Sequence, residues 1–161
     1  MPRYVRENRL DLPSRRIILV DDREKNRWDL SDEPRYELKK TRLALGDYTF
    51  KGFEDIVCIE KKSGWAEILT DISKPYRERF RAFLDKMSSV DIPLMIIEDT
   101  PSGITSACKY GRLTPESLYH WYSLIACEYN IPIMLVGKNK TIKNKLIVKA
   151  FQLIEIKITR E

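Results

Sequence analysis

The sequence predicts an α/β domain in which helices flank a mixed central sheet. Two apolar runs, residues 92–98 and 131–136, lack polar alternation, as strands buried on both faces of a parallel sheet do. A segment with helical spacing accompanies each run, which is typical of α/β order. Earlier runs predict further strands at residues 17–20, 36–45, 48–50 and 56–60. A short hairpin loop at residues 51–55 makes the last two of these antiparallel, so the sheet is mixed.

Apolar residues at helical spacing predict the flanking helices. Ser63 is the expected N-cap of the first helix, and Pro75 suits the first turn of the second. Thr114 followed by Pro115 marks the start of a third. The serine-, threonine- and glycine-containing stretch between the second and third helices is expected to be a loop. The predicted helices cover residues 63–72, 75–87 and 114–129 and continue from about 141, and the loop covers 99–113.

Length and charge limit the possible functions. A chain of 161 residues suits one domain, and a net charge of +5 with a pI near 9.1 favours a polyanionic partner such as DNA. Residues 1–16 are polar and basic and predict an N-terminal arm, which is either a frayed terminus or a DNA contact. The domain itself is expected to cover residues 17–161.

Cysteine usage and hydropathy indicate where the protein works. The three cysteines have no paired spacing, which favours a reduced, intracellular compartment such as cytoplasm, nucleoid or nucleus. No apolar run is long enough to span a bilayer, and the first residues lack a signal-peptide pattern, so no membrane partner is expected.

The chemistry-bearing residues gather around the predicted hairpin. Glu60 and Lys62 are two apart on one strand, so both side chains lie on the same face. Asp47, next to Gly46 at the start of the preceding strand, can reach the same place if the two strands pair. Asp21, which ends the first strand, is a third candidate.

This set of residues suits phosphodiester hydrolysis. Mg²⁺ prefers oxygen ligands, keeps several waters and takes one or two carboxylates from a protein. Asp47 and Glu60 therefore fit as ligands of Mg²⁺ or Mn²⁺, with Asp21 as a further one. Lys62 lies where its amino group could orient the attacking water or stabilise developing negative charge.

Several motifs in order resemble those of the nuclease domain of the XPF family, which has a restriction-endonuclease-like core. That family's signature is Gly-Asp, a spacer, then Glu-Arg-Lys, three residues and Asp; an upstream motif is an apolar run followed by Asp, any residue, Arg, Glu. Its later strand begins with proline and ends with glutamate, as residues 93–98 do here. The matching residues are Asp21-Asp22-Arg23-Glu24, Gly46-Asp47 and Glu60-Lys61-Lys62.

The resemblance implies a metal-dependent endonuclease for branched DNA such as flaps, forks or Holliday junctions. It implies that Asp21, Asp47 and Glu60 bind the metal and that Lys62 is the catalytic lysine. Arg23, Glu24 and Lys61 are expected near the site. Family members often pair through this domain, so a homodimer is expected, in keeping with the apolar faces of the last two helices.

The chain also departs from the family pattern. Ala66 stands where the signature has its last Asp, and Lys61 replaces the arginine. The chain has no room after the last helix for the helix-hairpin-helix domain that often follows, so junction specificity through that module is not implied.

Two further sets of residues carry alternative interpretations. A basic side on the second helix predicts phosphate contacts, although a solvated helix face explains it equally: Lys74, Arg77, Arg79 and Arg81. Trp65 is either a core residue, which we favour, or a stacking surface for a base. The rival functions are a non-catalytic DNA-binding or scaffolding subunit and a restriction-like duplex nuclease.

Overall fold

The computed structural model describes residues 15–160 and contains one six-stranded sheet in that part of the chain. The predicted arm at residues 1–16 lies almost wholly outside the described residues, and Arg16 at its end belongs to the first strand. The strands are β1 (Arg16–Asp21), β2 (Tyr36–Thr41), β3 (Tyr48–Phe50), β4 (Val57–Lys62), β5 (Ile92–Ile97) and β6 (Ile133–Leu135).

Strand pairing in the sheet is mixed, as the sequence predicts. The spatial order is β2-β1-β3-β4-β5-β6. The short strand β3 is antiparallel to both of its neighbours, whereas β1–β2, β4–β5 and β5–β6 are parallel pairs. In the register of β3 on β4, Tyr48 lies opposite Ile59. This register confirms the predicted hairpin and brings the residue before β3 close to the end of β4.

Helices cover both faces of the sheet. One face packs against the C-terminal helix around Phe151, and the other against the remaining helices around Trp65. The strand β4 alternates between these two cores: Val57 and Ile59 lie in the first and Cys58 in the second. The helices are α1 (Trp65–Ile72), α2 (Arg77–Ser88), α3 (Gly103–Cys108), α4 (Pro115–Ser123), which continues as a π-helical turn (Leu124–Glu128), and α5 (Lys140–Thr159).

The structure corrects three expectations about local elements. The segment 99–113 is not simply a loop, because it contains the short helix α3, which is held by burial of Ile104 and Cys108. The N-cap of α1 is Gly64 rather than Ser63, and α2 begins after Pro75, at Arg77. Trp65 is 1% exposed, which confirms the core interpretation. Within residues 15–160 every helix falls short of the length or apolarity needed to cross a membrane.

A buried carboxylate fastens α5 to the start of the sheet. The side chain of Glu155 is fully buried, and its two oxygens accept from Arg16 Nε at 3.1 Å and from Arg35 Nη2 at 3.2 Å. The hydroxyl of Tyr36 donates a third hydrogen bond at 2.9 Å. Burial, with the negative charge of Glu155 beside it, raises the pKa of Tyr36, so the hydroxyl remains a donor. The buried charge therefore has partners on every side that the structure shows.

Removing this carboxylate should destabilise the domain. We expect Glu155→Ala to lower the free energy of unfolding by about 3 kcal/mol, because two partly buried arginines lose their partner. Urea denaturation followed by circular dichroism measures this. Glu37→Ala is the matched control: Glu37 pairs with Arg15 at 3.4 Å on the exposed surface and should cost under about 1 kcal/mol. Equal losses in the two variants would contradict the proposed importance of the buried cluster.

Candidate active site

The candidate site is a cavity of about 390 Å³ at the ends of β1 and β4. Backbone hydrogen bonds set its geometry: the Asp21 amide donates to the Asp47 carbonyl at 2.8 Å, and the Asp47 amide donates to the Ile59 carbonyl at 2.9 Å. These bonds extend the pairing of β3 with its neighbours by one residue. As a result Asp21, Asp47 and Glu60 all line the same cavity, as the sequence predicts.

Gly46 allows the close approach of this turn to β4. Its φ is +74°, a conformation that side chains disfavour. A Cβ at this position would also lie 2.7 Å from Cys58 Sγ and 3.1 Å from the Ile59 carbonyl oxygen. The Gly-Asp motif therefore has a structural reason: the glycine lets the chain press against β4, which places Asp47 beside Glu60.

Asp47 and Glu60 are neighbouring carboxyl groups withdrawn from water. Burial raises the pKa of Glu60 to about 8, and the nearby charge of Asp47 adds to the effect, while Lys62 opposes it. Burial also raises the pKa of Asp47, although the Lys61 amide donates to Asp47 Oδ2 at 2.9 Å and opposes that rise. Two desolvated carboxyl groups side by side are stabilised in their charged forms by a cation between them.

Asp21 is held differently. Its carboxylate accepts hydrogen bonds from the Arg23 backbone amide at 3.0 Å and from the Arg23 guanidinium. These bonds to Arg23 keep the pKa of Asp21 below its usual range. The Arg23 guanidinium also donates to the Leu43 carbonyl at 3.1 Å. Asp21 lines the cavity, but its oxygens are engaged by Arg23, so its role as a metal ligand remains a prediction.

Carboxylates surround the ammonium of Lys62, and the sequence does not predict two of them, Glu67 and Asp71, as part of the site. This ammonium is 7% exposed and lies 3.1 Å from Glu60 Oε1, 2.8 Å from Asp71 Oδ2 and 3.8 Å from Glu67 Oε1. The Phe80 ring covers it, with the ring centre 5.4 Å away. Burial alone would lower the pKa of Lys62, but Glu60 and Asp71 reverse that effect and raise it. Lys62 is therefore a fixed positive charge.

The two unforeseen carboxylates come from α1. Glu67 also accepts from the backbone amide and hydroxyl of Ser63, at 2.7 and 2.9 Å, which ties down the start of the helix. Asp71 follows one turn later, and the spacing of four residues places both on one helix face. That spacing was the available signal in the sequence. Ala66, at the position of the signature's last Asp, is exposed, and the carboxylates that contact Lys62 come from its neighbours.

Lys61 points to the opposite face of the sheet from Glu60 and Lys62. Its ammonium is 5% exposed and lies 3.5 Å from Glu24 and 3.6 Å from Glu98. Glu98 in turn pairs with Lys143 on α5 at 2.6 Å. Lys61 thus joins β4 to the loop after β1, to the end of β5 and to α5. Lys61 is adjacent in sequence to the candidate catalytic residues and packs on the opposite face of the sheet. Glu24 also lines the cavity.

The predicted DNA-binding residues separate into different surroundings. Arg79 lines the cavity that contains Asp47 and Glu60, together with Lys86, which the sequence reading did not single out. Arg77 and Arg81 line a different depression, between α2 and α4. Lys74 is exposed before α2 begins. The sequence predicts Lys74, Arg77 and Arg81 on one polar side with Arg79 close by, and the structure brings Arg79 alone of these four to the candidate site. Their contact with DNA remains a prediction.

The donor set fits a magnesium-like ion in a two-carboxylate form. Among residues 15–160 no three His, Cys, Asp or Glu side chains are arranged as a ready metal site. Asp47 and Glu60 alone match the one or two protein carboxylates that Mg²⁺ usually takes. Their desolvation, which Lys62 and the Lys61 amide offset in part, is the observation that favours a bound cation.

The fold of the described residues is similar to that of solved XPF structures. The solved structure of XPF from Aeropyrum pernix matches with a TM-score of 0.59 and 19% identity over 82% of this chain and 57% of that one. XPF from Aeropyrum pernix in complex with DNA matches with a TM-score of 0.61 and 17% identity, over 89% and 66% respectively. No family model and no curated protein matches the chain.

These likenesses confirm the predicted fold class, including the mixed sheet. At 17–19% identity they speak for the fold. The chain also spans less than two thirds of the length of either XPF structure, as the 57% and 66% coverage shows.

The raised pKa of Glu60 predicts a pH-dependent stability. Between about pH 4.5 and 8 the folded protein keeps a proton on Glu60 that the unfolded chain releases, so stability falls as pH rises through this window. In EDTA, the melting temperature of the wild type should decrease more between pH 6 and 9 than that of Glu60→Gln. Added Mg²⁺ at pH 8 should raise the melting temperature of the wild type alone.

Differential scanning fluorimetry on both proteins, with and without Mg²⁺, checks this expectation. Other titrating groups are shared by the two proteins and cancel in the comparison. Parallel pH profiles for wild type and Glu60→Gln would show that Glu60 is ionised normally. An equal response to Mg²⁺ in both would remove Glu60 from the metal site.

Proposed function

We propose that this chain is a metal-dependent endonuclease that hydrolyses phosphodiester bonds in DNA, with a preference for branched DNA such as flaps, forks or Holliday junctions. The observation that carries the proposal is the pair of desolvated carboxyl groups, Asp47 and Glu60, beside the buried ammonium of Lys62. The pair lies in an open cavity at the strand ends. The net charge of +5 supports a polyanionic substrate, and one of the matched XPF structures is a DNA complex.

Each residue has a distinct task in the proposed reaction. Asp47 and Glu60 would hold Mg²⁺ or Mn²⁺, which when bound neutralises phosphate charge and makes a water more acidic. Lys62, held as an ammonium, donates hydrogen bonds to the oxygens on which negative charge develops. Arg79 and Lys86, on the wall of the cavity, would bind phosphates next to the scissile one. Arg23 keeps Asp21 ionised at the edge of the cavity.

The carboxylates on α1 serve to position the lysine. Lysine side chains are flexible, and an ammonium free to move loses part of its value to a transition state. Asp71 at 2.8 Å and Glu60 at 3.1 Å restrain Lys62 from two sides. Asp71 is thus a positioning residue that acts through Lys62 and does not itself touch DNA in this proposal.

The rival functions differ in their expected behaviour. A scaffolding subunit would bind DNA without cutting it, yet this chain retains Asp21, Asp47, Glu60 and Lys62. Buried charges of this kind cost stability. Such a set is therefore expected where it serves catalysis. A restriction-like nuclease would cut linear duplex at a sequence. The proposal also implies an intracellular location, because the proposed substrate is DNA.

We also propose that the chain forms a homodimer through α5. Two large apolar side chains on this helix face solvent in the single chain: Ile142 is 56% exposed and Leu153 is 63% exposed. Other apolar residues of α5, such as Phe151, are buried against the sheet. The apolar arc of the helix is thus wider than the contact it makes within its own domain, and a second copy would cover the remainder.

Cleavage assays test the nuclease proposal. We expect the wild type with Mg²⁺ or Mn²⁺ to cut fluorescent flap, fork or four-way-junction DNA faster than linear duplex. Asp47→Ala and Lys62→Ala should each lower kcat by about 100-fold or more, because each removes a group that acts on the transition state. Single-turnover rates on the same labelled oligonucleotides provide the measurement.

Graded variants sharpen the same assay. Asp71→Asn should lower kcat by roughly tenfold, less than Lys62→Ala, with unchanged DNA binding, and Asp71→Glu should recover part of the loss. Asp85→Asn, an exposed carboxylate on α2, is the control and should have wild-type rates. Salt-sensitive DNA binding without cleavage would refute the nuclease proposal and favour the scaffolding subunit. Equal cutting of branched and linear DNA would favour a general or restriction-like nuclease.

The homodimer proposal has its own measurement. Sedimentation equilibrium should give twice the monomer mass of 19.0 kDa for the wild type. Leu153→Arg should shift the equilibrium to monomer because a charge replaces an apolar contact in the interface. Lys109→Glu, a charge reversal at the exposed C-cap residue of α3, is the control and should leave the dimer intact. A wild type that sediments as a monomer at micromolar concentration would refute the dimer.

A further inference from the structure

The helix α2 lies between two separate depressions. One side of it lines the candidate catalytic cavity through Arg79, Phe83 and Lys86. Another side lines a depression of about 430 Å³ between α2 and α4, which we call the α2–α4 groove. The residues that line the α2–α4 groove are Arg77, Arg81, Glu116, Ser117, His120 and Trp121.

Helix geometry explains this division. At 3.6 residues per turn, residues four apart share a face, so Arg77 and Arg81 lie one above the other. Arg79 is about 200° around the helix from Arg77 and faces away from the groove. Arg79 and Lys86, seven residues apart, share the side of the catalytic cavity. One helix therefore offers two basic surfaces that a single straight backbone cannot occupy together.

The two arginines of the groove are held in place. Arg77 Nε donates to the Ile72 carbonyl at 2.9 Å, which leaves its terminal nitrogens for other partners. The Arg81 guanidinium lies 4.9 Å from the centre of the Trp121 ring, a cation–π contact with a side chain that is 6% exposed. Restrained arginines lose little entropy on binding a phosphate, and their planar shape suits its oxygens.

Acidic groups near the groove are few and exposed. Glu116 lines it, and Glu78 Oε1 lies 4.0 Å from Arg81 Nε with its side chain 88% exposed. Neither carboxylate is buried against an arginine, so both can be displaced by solvent or by a phosphate. The imidazole of His120 and the hydroxyl of Ser117 add hydrogen-bonding groups. The groove thus offers two fixed cations with polar neighbours.

We propose that the α2–α4 groove binds the backbone of a single-stranded DNA arm while the scissile strand lies in the catalytic cavity on the other side of α2. The inference rests on the proposed function and deepens it. Charge complementarity identifies a phosphodiester backbone as the occupant. The depression measures about 430 Å³, and a basic groove of this kind that follows one backbone is typical of single-strand binding.

The aromatic residue that lines the groove is Trp121, whose ring is 6% exposed and faces Arg81. Tyr119, also on α4, is 45% exposed. Unpaired bases stack on exposed aromatic side chains, and basic grooves combined with aromatic residues are typical of single-strand sites. The ridge of α2 would then separate the two arms where the DNA branches.

This arrangement would give the domain a preference for branched DNA from its own surface. A linear duplex engages the catalytic cavity alone, whereas a flap engages the cavity and the groove together. Linking two weak sites on one ligand raises the overall affinity because the second contact becomes intramolecular. Junction preference would then not require a separate DNA-binding module.

Metal-free binding measurements test the groove directly. Fluorescence anisotropy in EDTA would compare a duplex carrying a single-stranded flap with a linear duplex of the same length. Arg77→Gln/Arg81→Gln should weaken flap binding about tenfold or more and lower the slope of log affinity against log salt by about 1.4, from two lost phosphate contacts. Binding of the linear duplex should not change.

A matched control removes the same charge elsewhere. Lys39→Gln/Lys40→Gln alters two exposed lysines on β2, at the far edge of the sheet, and should leave the flap preference intact. Since Arg81 packs on Trp121, the melting temperature of the double variant is measured, and Arg77→Gln alone, which leaves that contact, should still give about half of the slope change.

The outcomes separate this inference from the proposed function. The groove proposal would be refuted if the double arginine variant lost affinity equally for flap and linear DNA, or lost none for either. A wild type that binds flap and linear DNA equally well would also refute it. A protein that cuts no DNA but shows the flap-specific loss would refute the nuclease and keep the groove. A protein that cuts flaps equally well with and without the two arginines would keep the nuclease and refute the groove.

Discussion

The alternation of side chains along β4 is the constraint on which the rest of the structure depends. Three consecutive charged residues end this strand, and none is freely exposed. Glu60 and Lys62 enter the side of the sheet covered by α1 and α2, while Lys61 enters the side covered by α5. Because buried charges are costly without partners, each face must supply groups of the opposite sign. The carboxylates of α1 do so on one side, and Glu24 and Glu98 do so on the other.

Two consequences follow for the candidate site. Lys62 has carboxylate partners on α1, so its position depends on how that helix packs and not on the strand alone. Glu60, in contrast, has Lys62 as its one cationic partner in the salt bridges of the described chain and has Asp47 as a like-charged neighbour. Lys62 thus has three carboxylate partners, whereas one salt bridge serves the neighbouring pair Asp47 and Glu60 within the described residues. This asymmetry is the physical basis for proposing that Asp47 and Glu60 hold a cation.

The Glu98 ion pairs connect the two layers of the domain. Lys61 and Lys143 both contact Glu98. These contacts fix the position of α5 relative to the strand that carries the candidate catalytic residues. Glu155, at the other end of α5, anchors the same helix to β1 and β2. The helix proposed to carry the dimer contact is therefore fixed at two points to the sheet.

The sequence by itself determined the strands, the mixed sheet and the placement of Asp21, Asp47 and Glu60 at one edge of it. These features follow from local patterns: apolar runs, a short hairpin and a two-residue period. The tertiary structure alone decided which charges meet. Asp71 and Glu67 approach Lys62 because α1 folds back across β4, and Arg81 meets Trp121 because α4 packs beside α2. The contact between Asp21 and Arg23 is local in the sequence. The Arg23 side chain, however, also donates to the Leu43 carbonyl, twenty residues away. Pairings of this kind depend on packing distances between elements, which residue order does not encode directly.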